Sequence, residues 1–224
     1  MLGVDAAGTV LLDEPLPHGA SPDTTAYEAG FVVQRPRDAW RDDAGELVVR
    51  LQVVPRTSES PPPPAARRGQ DTGLVVPPGV VPRIQQRCAA YAVVTSDLGL
   101  LATEYSERTA VPGRWGMSGG GIDRTEQPVA AVLREVQEET SQAVELGELV
   151  RLQSSHWLGR SPAGHLEDFH AVRLVYRAHC PAPTEPVVLD EGGTTESARW
   201  VPLAEWSRLP WTHNWEHLLG DLLR

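Results

Sequence analysis

Pro128-Val129-Ala130-Ala131-Val132-Leu133-Arg134-Glu135-Val136-Gln137-Glu138-Glu139-Thr140, led in by Gly119-Gly120-Gly121, is the stretch that decides how this chain reads. At ~100° per residue, Val129, Val132, Leu133, Val136 and Thr140 share a stripe of roughly 100°. That periodicity predicts a helix from about Gln127 to Ser141 with the stripe buried. Pro128 suits its first turn, where a missing amide costs nothing. Glu135 and Glu139 are one turn apart and Glu138 lies beside them, so three carboxylates crowd one side of the helix. Such crowding costs a helix a few tenths of a kcal/mol, about 0.2–0.5 per pair. A divalent cation relieves it: Mg²⁺ takes oxygen ligands at about 2.1 Å and shares substrate phosphate oxygens. The glycines upstream let backbone groups approach a ligand closely, and a turn leading into a helix N-terminus suits an anion such as phosphate.

Outward from the helix, Ala89 to Thr95 and Leu98 to Glu104 are apolar runs of strand type around the turn Ser96-Asp97. Leu149 to Ser155 is a further strand. Phe169 to Ala178 is another, with the alternation Val172, Leu174, Tyr176, and Trp200-Val201 ends one more. Trp211 to Leu222 reads as an amphipathic helix. Strands on both sides of one well-marked helix predict an α/β fold in which helices pack on a mixed sheet.

Eight of the 20 prolines fall between Pro55 and Pro82, including Pro61-Pro62-Pro63-Pro64. Such a stretch forms neither a helix nor a sheet interior and reads as a semi-rigid connector. It divides the chain into a β-rich extension (1–54), a Pro-rich linker (55–82) and a main domain (83–224). In the extension, Phe31-Val32-Val33 and the alternation Leu47, Val49, Leu51, Val53 are strands around the turn Arg41 to Gly45. A unit this small is marginal alone, so it is expected to pack on the rest of the chain or to form a homodimer with a second copy.

The whole chain has 224 residues, 30 Asp+Glu against 20 Lys+Arg, and a net charge of −10; every basic residue is arginine. With 41% hydrophobic and 22% charged residues, it is a globular composition that excludes wholesale disorder. The acid excess argues against a long nucleic acid as partner. No apolar run reaches the ~18 residues of a membrane span, and no basic segment opens a secretory signal. A cytoplasmic protein with Cys88 and Cys180 reduced is therefore expected.

Gly120, five residues, Glu126, seven residues, then Arg134-Glu135-Val136-Gln137-Glu138-Glu139 resembles the Nudix box, the signature of the Nudix hydrolase family. Six fixed positions, each matched by chance about one time in fifteen, coincide roughly once in ten million start points. Trp115 with Gly119-Gly120 resembles the family's Trp-x-x-Pro-Gly-Gly lead-in, and Glu196 to Trp200-Val201 resembles its closing strand. The resemblance spans about residues 83 to 209. Ser118 stands where proline is usual and Thr125 where glycine is common. Ser141 and Gln142 replace the closing glycine and aliphatic residue. A glycine there would suit the left-handed position that ends a helix; serine costs about 1 kcal/mol or less.

The resemblance implies an α/β/α sandwich with a mixed β-sheet. It implies Mg²⁺- or Mn²⁺-dependent hydrolysis of a diphosphate bond in a nucleoside diphosphate linked to another moiety, by water attack on phosphorus. Glu135 and Glu139 become the principal metal ligands, Glu138 a further ligand or catalytic base, and the Gly119 carbonyl a contributor. Arg134 pairs with Glu126 to brace the loop. A base on a later loop is frequent in the family, which nominates Glu196 and Glu191. On the substrate side stand Gly120, Arg114 and Trp115. Trp115, like Trp157, can stack on a base or pack in the core; Arg114, like Arg108, can hold phosphate or be solvated. His213 and His217 have metal-ligand spacing, but without a third ligand nearby they read as surface residues. The implied partner is a small nucleotide-derived substrate. The alternative on the same fold is a non-catalytic sensor of a nucleotide metabolite; the intact box carboxylates favour the enzyme.

Overall fold

The computed structural model describes residues 1–65, 68–161, 164–190 and 192–223. In chain order its elements are β1 (Leu2–Val4), β2 (Val10–Asp13), α1 (Pro22–Glu28), β3 (Phe31–Arg41), β4 (Leu47–Pro55), β5 (Arg68–Gln70), β6 (Arg83–Ser96) and β7 (Gly99–Tyr105). There follow β8 (Trp115–Gly116), β9 (Ser118–Gly121), α2 (Pro128–Thr140), β10 (Glu145–Arg160), β11 (Leu166–His179), β12 (Thr195–Val201) and α3 (His213–Leu222). One sheet has the order β2-β1-β4-β3; the other runs β12-β7-β6-β11-β10-β5, with β8 beside β7 and β9 beside β6. Both sheets are mixed: β1–β4 and β10–β5 are parallel, whereas β3–β4 and β7–β12 are antiparallel. The expected α/β class with a β-rich N-terminal region is therefore what the chain adopts. Among the described residues, no helix is long and apolar enough to cross a membrane.

The chain forms two compact units, Met1–Ala89 with Leu149–Val175 and Ala90–Glu148 with Tyr176–Arg224. These boundaries fall elsewhere than the sequence segments, because residues 149–175 group with the N-terminal third. In the first unit, Leu51 and Val53 are buried with Val4 and Leu12, while Arg50 pairs with Asp38 across the β3–β4 ladder. The period-2 pattern thus sets the register. Asp42 fixes the hairpin turn by accepting from the amides of Ala44 (3.0 Å) and Glu46 (2.8 Å). Ser21 caps α1, and Pro22 occupies its first turn. The Pro-rich segment is anchored at two places. Tyr27 donates to the Ser60 carbonyl (2.9 Å), and β5 pairs with His156 to Leu158 as an edge strand, the position in a sheet that tolerates such a sequence.

In the second unit, α2 packs against β9 and β12. Its buried residues are Pro128, Ala131, Val132, Val136, Glu139 and Thr140, whereas Val129 is 43% exposed. This corrects the predicted stripe. Glu139 falls inside the buried face, whereas Val129, although its angle lies between those of Val136 and Thr140, sits in the first turn and is left exposed. The helix ends at Ser141, whose φ of 55° makes it the only non-glycine residue with positive φ among the described residues. The left-handed cap anticipated for a glycine is thus carried by serine. The last carbonyls of α2 are satisfied from residues 187–190: Thr140 accepts from Val187 (3.2 Å), and Glu138 from Leu189 (2.7 Å) and Asp190 (3.2 Å).

Candidate active site

Glu139 is the centre of the site. It is only 7% exposed, and both carboxylate oxygens are bound by the protein. Oε2 accepts from the Ser118 hydroxyl (2.8 Å) and the Gly119 amide (2.9 Å), and Oε1 accepts from the Thr195 hydroxyl (2.5 Å). Burial pushes its pKa up to about 6, against the pull of those three donors. A buried carboxylate in that condition is one whose charge a cation would stabilise.

One turn earlier, Glu135 is half-buried, and burial raises its pKa while the Arg134 guanidinium opposes the rise. Gly120 leaves room for it: a Cβ at that position would sit 2.5 Å from Glu135 Oε1, so a side chain would displace the carboxylate. Arg134 is the hub of the loop. Its Nε donates to Glu126 Oε1 (2.9 Å), Nη2 donates to Glu126 Oε2 (3.0 Å) and the Gly121 carbonyl (3.2 Å), and Nη1 reaches Glu135 (2.9 Å) and Glu138 (3.1 Å). Its hydrogen bond holds Glu126 below the usual carboxylate range, and the same set of carboxylates raises the guanidinium's own pKa. The brace between loop and helix is therefore present.

The remaining candidates are placed as follows. Glu138 is 45% exposed and bonded to Arg134. Trp115 is buried with the Arg199 guanidinium 4.4 Å from its ring centre, and Arg114 is exposed. Glu196 is exposed at an irregularity of β12, where Thr195 pairs with Tyr105 and Ser197 with Glu104, leaving Glu196 between them. Glu191 lies outside the described residues. Trp157 is 45% exposed and donates to Asp71 (2.7 Å), and His213 and His217 are exposed with their rings in edge-to-face contact. Two polar residues that touch Glu139 escaped the sequence reading. Thr195 was hidden beside the more conspicuous Glu196, and Ser118 registered only as a departure from proline. Period-2 alternation in β12 could have put Thr195 and Glu196 on opposite faces, but nothing local says which face meets α2.

An anionic, oxygen-rich patch on a helix beside a glycine loop belongs to the class of sites that hold hard divalent cations and phosphate groups. The donor set fits such an ion in kind, three carboxylates with one of them buried and resisting ionisation, although their oxygens do not all lie within 4.8 Å of one another. The NUDIX domain family model matches residues 85–219, and the chain belongs to the Nudix family. A MutT NUDIX hydrolase from Burkholderia pseudomallei is 28% identical, the match covering 62% of this chain and 98% of that one, at a TM-score of 0.45. The NUDIX domain of Shewanella oneidensis NrtR, solved with ADP ribose, is 23% identical over 61% and 86%, at 0.45. A C. elegans Ap4A hydrolase is 17% identical over 60% and 94%, at 0.43. Curated proteins gave no match.

Proposed function

We propose that this Nudix protein hydrolyses a diphosphate bond in a small nucleoside diphosphate derivative, with Glu135, Glu138 and Glu139 holding Mg²⁺ or Mn²⁺. The observation that carries the reading is Glu139, a buried carboxylate positioned by Ser118, Gly119 and Thr195 on the helix face that also bears Glu135. When bound, the cation supplies charge neutralisation on the phosphate oxygens and lowers the pKa of water. Glu138, the most exposed of the three carboxylates, accepts the proton of the attacking water. An oxygen–phosphorus bond forms from that water as the bond to the bridging oxygen breaks, and the leaving phosphate takes the electron pair. Glu196 is the second candidate for the proton. Arg134 keeps loop and helix in register through Glu126 and lies against Glu135 and Glu138, the carboxylates that would hold the cation. Gly120 and the Gly119 backbone admit the diphosphate, and Arg114, exposed beside the loop, contacts its phosphates. Trp115, buried against Arg199, supports the strand that leads into the glycine loop. The free thiols of Cys88 and Cys180 accord with a cytoplasmic setting.

The test is a panel of nucleoside triphosphates, ADP-ribose, nucleotide sugars, NADH and dinucleoside polyphosphates with Mg²⁺ or Mn²⁺ and product identification. Release of a nucleoside phosphate that disappears in Glu139→Gln supports the assignment. Binding of one of these compounds without turnover by the wild type would instead make the protein a nucleotide-binding module.

A further inference from the structure

A second polar cluster lies wholly within the first unit and shares no residue with the Nudix box. His18, from the loop before α1, His156 on β10 and Asp168 on β11 bring their ligand atoms within 4.8 Å of one another. Among the described residues, no other three His, Cys, Asp or Glu side chains do so. Both histidines present Nε2 to the same oxygen, Asp168 Oδ1: His18 at 2.9 Å, and His156 in a shorter contact. The other oxygen, Oδ2, accepts from Arg68 (3.1 Å), so Oδ1 is the oxygen that faces the two imidazoles. All three side chains are mostly buried, at 24%, 19% and 17% exposed.

The surroundings orient this trio. Ser154 donates its one hydroxyl proton to the Ala20 carbonyl (3.0 Å), so it must accept from His170 Nε2 (2.8 Å). Gln86 Nε2 then donates to His170 Nδ1 (3.0 Å). His170 is thereby fixed as a neutral ring with both nitrogens used, and it is no ligand. Its ring meets His18 and His156 edge-on, with centroids 5.5 and 6.3 Å away, and limits how either can turn. Gly19, at φ +76°, lets the loop pass directly over His156: a Cβ there would fall 2.5 Å from Nδ1. The other ring nitrogen of His18, Nδ1, is buried with no hydrogen-bond partner. Beside His156 a cavity of about 290 Å³, lined also by Gly19, Pro22, Pro64, Leu152 and Ser154, has room for a further small ligand.

We propose that His18, His156 and Asp168 form a binding site for a divalent transition-metal ion, represented by Zn²⁺. Two imidazoles and one carboxylate are the donors that such ions take and that Mg²⁺ does not prefer. Three protein ligands leave a fourth position to water. The ion would tie the loop carrying His18 to strands 138 and 150 residues further on, a cross-link of the kind that stabilises most when the loop it closes is long.

The experiment uses the full chain carrying Glu135→Gln, Glu138→Gln and Glu139→Gln, so that the three box carboxylates assigned to the cation do not contribute. Equilibrium dialysis against Zn²⁺, with metal content measured by mass spectrometry, should find one bound ion. Adding His18→Gln or His156→Gln should weaken binding at least tenfold. Co²⁺ should give the visible absorption of a nitrogen-ligated ion of low coordination number, and that band should vanish on adding either substitution. The circular dichroism of each variant reports whether it remains folded. The Co²⁺ band in the parent chain decides the matter if neither histidine variant folds. The proposal is overturned if the parent binds no Zn²⁺, if both histidine variants bind it undiminished, or if Co²⁺ shows only the weak spectrum of an all-oxygen octahedral ion.

Discussion

The two polar clusters of this protein are built on opposite plans. In the second unit, three carboxylates rise from one helix within five residues, and like charges are held near each other by Arg134, Ser118, Gly119 and Thr195. In the first unit, two imidazoles and one carboxylate arrive from a loop and two strands and already satisfy each other. The first plan suits a hard cation shared with phosphate; the second suits a softer ion held for structure. Burial raises the pKa of Glu139 and Glu135, whereas Asp168, against its own burial, is held below the usual carboxylate range by its bonds to His18, His156 and Arg68.

The sharpest way to break this contrast is Glu139→Gln, expected to lower kcat roughly 10³-fold by removing a carboxylate that holds charge at the reacting phosphate. Steady-state kinetics on whichever panel compound turns over would measure it. Next in size is metal-linked stability. At about one hundred times its Kd, an ion binding only the folded chain adds ~2.7 kcal/mol. Zn²⁺ should raise the unfolding midpoint of Glu139→Gln and not that of His156→Gln. Mg²⁺ should show the reverse preference, and a midpoint insensitive to both substitutions would dissolve the distinction.

A third prediction concerns pH in the metal-free protein. Glu139 titrates near 6 in the folded chain against 4.5 unfolded, so the folded state holds its proton more tightly. Both states are protonated below pH 4.5, and stability falls as pH rises from there through 6. The loss is about 2 kcal/mol once the group is ionised in both states. Denaturant titrations of wild type against Glu139→Gln, which has no such group, should diverge across that window and stay parallel above it.

Thr195→Val removes one donor to the same carboxylate. It should cost about 1.5 kcal/mol at pH 8, where Glu139 is ionised, and less at pH 5. An equal cost at both values would mean that Thr195 serves packing instead. The smallest effect is expected for Ser141→Gly. Relief at φ 55° favours glycine by about 0.5–1 kcal/mol, offset by loss of the Ser141 hydroxyl's bonds to the Thr140 carbonyl and the Val187 amide. A stability gain under 1 kcal/mol in chemical denaturation is the outcome anticipated.

The helix, its flanking strands and the box acids were legible because their signals are local. A 3.6-residue period, a 2-residue period and fixed spacings need only neighbours in the chain. The departure at Ser141 was legible for the same reason, since a helix end is a local event. Contacts made over distance were not. Thr195 reaches Glu139 across 56 residues and Ser118 across 21, and Glu139 is buried on α2 while Val129, in its first turn, is exposed. In the first third, β1, β2 and α1 are too short to carry a clear period, so the sequence suggested two strands where a four-stranded sheet forms.

The acidic helix and the kind of chemistry it can do are written in adjacent residues, because one turn of helix sets the distance between Glu135 and Glu139 whatever surrounds it. Which glutamate is buried, which hydroxyls hold it, and that His18 meets His156 and Asp168 came from the packing of the folded chain. Those outcomes depend on how strands far apart in the chain pair and on which faces they bury, and no local spacing encodes them.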